Sequence, residues 1–210
     1  MTTKNLFHRF IATGVLLLAA TSVLGKSNTV EHLKAATADI KGEKDQLAVQ
    51  SALVEFGGND RLADFFAHSY AVVIFPTIGK GGLGIGGAHG TGWGFREGHL
   101  DGESKMTQVT IGFQAGGQAF SQIIFFEDER AFNQFTSGNF ELGAQASAVA
   151  LTAGANASAS TAGGANAGAN ESQAKKTYSD GLAIFTLAKG GLMYEASVGG
   201  QKFSYRAAKK

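Results

Sequence analysis

The sequence predicts an α+β fold in which N-terminal helices pack on an antiparallel, strongly bent, barrel-like β-sheet. Apolar residues recur at helical spacing only before His68, and β-branched and aromatic runs separated by glycine fill the chain after it. Helices first and many strands afterwards make a segregated α+β domain rather than a doubly wound one.

Residues 1–25 read as a cleaved secretory signal peptide. Lys4 and Arg9 precede an apolar stretch from Ile11 to Leu24 that is shorter than the ~20 residues a membrane-spanning helix needs, and it ends at Gly25 among small residues. Export to the periplasm or cell envelope is the expectation. Residues 26–69 then form a helical segment. Asn28 followed by Glu31 suits a capping box, and Val30, Leu33, Thr37 and Ile40 make one stripe. Gly42 interrupts it, Leu47, Ser51 and Val54 continue a weaker stripe, and Gly57-Gly58 ends it. A third helix starts at Asn59 or Asp60 and buries Leu62, Phe65 and Phe66.

Residues 70–206 form the glycine-rich β region. Tyr70 to Phe75 is a strand closed by Pro76, the only proline, and the run from Gly79 to Gly94, with Leu83 and Ile85 alternating with glycine, predicts close-packed, strongly bent strands. Met106–Phe113 and Gln118–Phe126 read as two strands with a turn at Gly116-Gly117. A short helix near 128–137 carries Phe132 and Phe135, with acids in its first turn complementing the helix dipole. Alanines at 144, 146, 148, 150, 153, 155, 157 and 159 have the period of a strand, which frays into a loop by Gly163. Gly181–Lys189, Leu192–Val198 and Gln201–Tyr205 are the closing strands, with Gly190-Gly191 as a turn.

The 210 residues suit a single domain. With no cysteine, disulfides, thiolate catalysis and cysteine-ligated metals are excluded. Lys+Arg 18 against Asp+Glu 17 gives a net charge of +1, and loss of Lys4 and Arg9 leaves 16 basic residues and a net charge of −1. No global basic field exists to gather nucleic acid.

The motifs argue against catalysis. Gly79-Lys-Gly-Gly-Leu-Gly84 matches the spacing of a dinucleotide fingerprint, but the following Gly86, Gly87, Gly90 and Gly92 preclude the helix such a site requires. His32, His68, His89 and His99 are isolated, so no metal or cofactor is expected. No Gly-x-Ser-x-Gly elbow or P-loop occurs, and the protein is expected not to be an enzyme. The unusual features are Gly–Lys junctions: Lys80 beside Gly81 and Gly82, Lys189 beside Gly190, and Lys202 after Gly199-Gly200-Gln201. An ammonium beside backbone N–H groups in a glycine turn favours a phosphate, although turn lysines also serve solubility. Trp93, between two glycines, is either a core plug or a membrane-interface anchor.

The segment from Tyr70 through Gly79-Lys-Gly-Gly-Leu-Gly-Ile-Gly-Gly-Ala-His-Gly-Thr-Gly92 resembles the signature of the SYLF lipid-binding domain. Gly112-Phe-Gln-Ala-Gly-Gly-Gln118 resembles its second element, and Gly181–Ala196 with Gly199–Phe203 is similar to the end of the exported bacterial branch. The likeness runs from Leu53 to Tyr205. It implies a single SYLF-like domain that binds phospholipid, with Lys80, Gly81, Gly82, Lys189, Gly190 and Lys202 as headgroup candidates. Some eukaryotic relatives also bind actin, which is not an expected partner of an exported bacterial protein.

The leading expectation is therefore a non-enzymatic envelope protein docking on anionic phospholipid. Two alternatives are a periplasmic interaction or structural module whose Ala-rich face packs on a protein partner or on itself, and an integral outer-membrane β-barrel. The short strands, the opening helices and the Lys209-Lys210 ending weigh against the barrel.

Overall fold

The computed structural model describes residues 28–142, 149–151 and 178–209. The expected signal peptide and most of the Ala-rich segment lie outside these residues.

Helix α1 spans residues 28–36 and runs into a 3-10 turn at Thr37–Asp39. Gly42, at φ 100°, takes a left-handed conformation ahead of α2 (Glu43–Gly57). The buried face of α2 is Val49, Ala52, Leu53 and Phe56, while Leu47, Ser51 and Val54 are exposed. The expected α2 stripe was thus on the wrong face, because Leu53 and Phe56 outweigh it in buried area. Asn59 caps a second 3-10 turn (Asp60–Leu62) by accepting from the Arg61 N–H, and α3 (Ala63–His68) buries Phe65 and Phe66.

Three long strands dominate the rest: β1 (Ala71–Arg96), β2 (His99–Phe126) and β5 (Leu182–Ala207). Between β2 and β5 come α4 (Glu129–Thr136), capped by the Asp128 carboxylate, then β3 (Phe140–Leu142) and β4 (Val149–Leu151). The sheet order is β1-β2-β5-β3, with β4 pairing parallel to β5 and every other pair antiparallel. The β1–β2 turn is Glu97-Gly98, both at positive φ, the geometry of a tight two-residue hairpin.

Gly116-Gly117 and Gly190-Gly191, expected as turns, instead lie inside β2 and β5. Each of the three strands runs through a bend, near 83–85 in β1, 112–114 in β2 and 195–197 in β5; β2 and β5 stay paired through it, while the β1–β2 register slips and leaves residues 112–114 without a β1 partner. The bend divides the sheet into two leaves. Residues 71–82, 115–126 and 182–194 form a proximal leaf, and residues 85–96, 99–111 and 197–207 form a distal leaf folded over it.

Glycine makes this folding sterically feasible. A Cβ on Gly90 would lie 2.6 Å from Ile78 Cγ1, and one on Gly92 would lie 2.7 Å from the Ile74 carbonyl oxygen, so the leaves meet closer than side chains normally permit. At the bend a Cβ on Gly82 would lie 2.4 Å from Gly86 Cα. Among the described residues no ladder joins β1 to β3 or β4, so the sheet folds over without closing and the expected barrel-like form is not reached.

Between the leaves lies a phenylalanine-rich core. Phe132 and Phe135 of α4 enter from the open end and meet Phe126 of the proximal leaf and Tyr205 of the distal leaf, with Phe135 also on Phe203. Gln122 and Gln201 exchange reciprocal amide hydrogen bonds of 3.2 and 3.3 Å across the leaves, which satisfies the amide of the fully buried Gln122. A second core lies on the other face of the proximal leaf, where α1, α2 and α3 cover Val72, Ile74, Phe125 and Phe185.

Candidate functional site

Lys80, Gly81 and Gly82 lie within β1 rather than in a turn, opposite Gln118, Gly117 and Gly116 of β2. Gln118 in turn pairs with Gly191, and Ala119 with Gly190. The β2–β5 register slips between Ala119 and Phe120, which leaves Lys189 as the extra residue of a β-bulge beside Gly190 at φ 146°. Lys80 and Lys189 therefore stand two strands apart, about 10 Å between backbones. Lys189 is exposed. Lys80 is half-buried, on the sheet face that carries Ile78 inward.

Gly81, Gly82 and Gly190 sit within ladder strands rather than in the tight turns expected for amide nests. What the bulge does offer is a local break in the ladder at Lys189. Lys202 does not join the pair. It lies on the outer face of the distal leaf, opposite Thr107 and Glu141, and its ammonium bonds the Glu141 carboxylate at 3.1 Å.

Trp93 is 7% exposed and packs with Phe95 in the helix-covered core. It is the core plug, and an indole so covered is not presented as an interface anchor. His89 is exposed, with Nδ1 3.5 Å from the Thr107 hydroxyl. Among the described residues no three His, Asp or Glu side chains are grouped to hold a metal ion. None of the described helices is long and apolar enough to cross a membrane.

The most polar contacts of the distal leaf are structural. Tyr205 donates to Asp101 at 2.8 Å, and Asp101 also takes Arg96 at 2.8 Å. Burial, together with that hydrogen bond, pushes the Tyr205 phenol well above its ordinary range. The hydrogen bond to Tyr70 and then the Asp101 charge hold the Arg96 guanidinium firmly protonated. A cleft of about 410 Å³ lies between α1 and the β1–β2 hairpin, lined by residues including His32, Phe66, Tyr70 and Phe95, at the end of the strands away from the bend.

The feature that sequence reasoning did not single out as functional is at the bend itself. Leu83, Ile85, Val109 and Ile111 are 83, 68, 60 and 68% exposed. Ile85 pairs with Ile111 and Gly87 with Val109, so these side chains share one face. Their alternation with glycine and polar residues was visible, but alternation is the same whether the apolar face points in or out.

This arrangement defines an α+β module whose folded, glycine-rich sheet bears lysines near an aliphatic bend. Residues 107–209 match the family model described as Ysc84, "Las17-binding protein actin regulator", which is the SYLF domain family. The match covers the second and closing glycine motifs, while the run at 79–92 lies before it. A similar protein is "Beta cell expansion factor A" of Aeromonas veronii, 25% identical over 99 residues, which cover 47% of this chain and 31% of that protein. The aligned region thus spans about a third of that relative's length. The family points to a lipid-binding or actin-regulator-like module.

Proposed function

We propose that the protein is a non-enzymatic module of the cell envelope that docks on anionic phospholipid headgroups through Lys80 and Lys189. The observation that carries this reading is the register that sets the two lysines two strands apart in one three-stranded ladder beside the bend, Lys189 at a bulge. The lipid association of the family supports it, and the leader-like first 25 residues support export. Gly81, Gly82 and Gly190 then act by shaping the strands rather than as free amide donors. Lys202 lies apart from this pair, on the outer face of the distal leaf beside Glu141, and contributes less.

Attraction of about 1 kcal/mol per lysine near an anionic surface makes binding weak and salt-sensitive. Replacing Lys80 and Lys189 together by Ala lowers affinity for anionic vesicles roughly thirtyfold, measured by flotation at low salt. Unchanged flotation of the folded double variant refutes this site.

A second reading, a protein-interaction module, is favoured by β1 being an edge strand of the sheet. A mass that rises with concentration in sedimentation, without lipid dependence, selects it.

A further inference from the structure

We infer that the outer side of the bend is a crest that inserts its aliphatic side chains into the acyl boundary of an anionic phospholipid bilayer; the inference deepens the lipid-docking reading and rests on it. The contact a Cβ on Gly82 would make with Gly86 places both glycines on the inner side of the bend. Alternation then turns Leu83 and Ile85 outward, and the ladder sets Ile111 and Val109 beside them on the same convex face. The outward positions farther along the distal leaf are polar: His89, Thr107 and Lys105 are exposed there. Polarity therefore switches to aliphatic only where the sheet turns.

The shape and composition select the occupant. Protein interfaces concentrate aromatic residues and Arg in fitted pockets, whereas these four side chains are all aliphatic and stand on a convex ridge. Fluid hydrocarbon conforms to such a ridge without a matching cavity. Lys105, six residues before Ile111 and on the same outward face by alternation, is exposed, so a basic group stands on the headgroup side of the ridge along β2. Glu195, opposite Gln114 in β5, is an acid within the same bend. Aliphatic burial, not charge, therefore leads insertion, with Lys105 meeting the headgroup layer.

The absence of cysteine makes the test direct. Full-length Leu83→Cys, Ile111→Cys and, as a control on exposed α2, Val54→Cys are each labelled with an environment-sensitive nitrobenzoxadiazole probe. They are mixed with vesicles of equal parts phosphatidylcholine and phosphatidylglycerol, with flotation followed in parallel. Insertion brightens the probes at 83 and 111 and exposes them to quenchers in the acyl chains, while the probe at 54 stays unchanged. Leu83→Asp with Ile111→Asp lowers vesicle partition about a hundredfold with an unchanged melting temperature. Flotation with unaltered probes at 83 and 111, or equal brightening at 54, overturns the crest while leaving lipid docking intact. Absence of flotation overturns the docking reading and this inference together.

Discussion

The two ends of the folded sheet use the same strands to opposite effect. At the open end, Phe75, Phe126 and Phe203 are fully buried between the leaves and closed over by Phe132 and Phe135 of α4. At the bend, Leu83, Ile85, Val109 and Ile111 point outward with no element covering them among the described residues. Apolar residues at the open end stabilise the fold, and those at the bend add little to it. The difference teaches that the bend is built from its inner glycines, which leaves the outer residues free to meet another phase.

Truncation at the open end tests this contrast most strongly. Phe126 stacks edgewise on Phe132 at 5.2 Å and meets Phe135 at 5.1 Å. Phe126→Ala destabilises by about 3–5 kcal/mol, read from urea or thermal unfolding. A loss below about 1 kcal/mol would mean that α4 does not close the leaves.

Crowding the leaves comes next. Gly92→Ala sets a methyl 2.6 Å from the Phe75 ring and 2.7 Å from the Ile74 carbonyl oxygen, and costs about 1–3 kcal/mol in the same unfolding assay. A neutral result would show that the leaves do not meet there.

Alkaline pH probes the same end. The Tyr205 phenol ionises in the unfolded chain near about pH 10 but above that when folded, so its contribution is complete below about pH 10 and is lost as pH rises further. Tyr178, pushed up to about 12 chiefly by burial, acts in the same direction. Tyr205→Phe costs about 1 kcal/mol at neutral pH through the lost bond to Asp101, and makes the alkaline decline shallower. Melting temperatures between about pH 8 and about pH 11 check both effects, and an unaltered slope would remove Tyr205 from the account.

The smallest effect belongs to the bend. Leu83→Ser changes stability by no more than about 0.5 kcal/mol, measured by thermal unfolding, because the side chain is already solvated. A large loss would show that the bend, like the open end, depends on its apolar side chains.

Much of the architecture was legible. The stripe of Val30, Leu33 and Ile40, the cap at Asn59 and the paired phenylalanines of α4 follow from spacing alone, since each element's geometry is local. The α2 face was not, because that helix carries apolar residues on two sides and only packing on β1 chooses between them. Gly116-Gly117 and Gly190-Gly191 were misread for a related reason: a glycine pair allows a turn, a bend or a bulge, and the partner strand decides which. Of the lysines, Lys80 and Lys189 come within two strands of each other because β2 joins their strands, while Glu141 of β3 takes Lys202. Trp93 kept both its meanings until the helices were seen to cover it.

By itself the sequence determined the order of helices before strands, the lack of cysteine chemistry and the glycine-built sheet, because composition and local periodicity act over a few residues. Only the tertiary structure decided that three strands bend together, that the glycines face inward and that Leu83, Ile85, Val109 and Ile111 face out. Which face of an alternating strand is buried depends on contacts between residues distant in the chain, and alternation carries no sign for it.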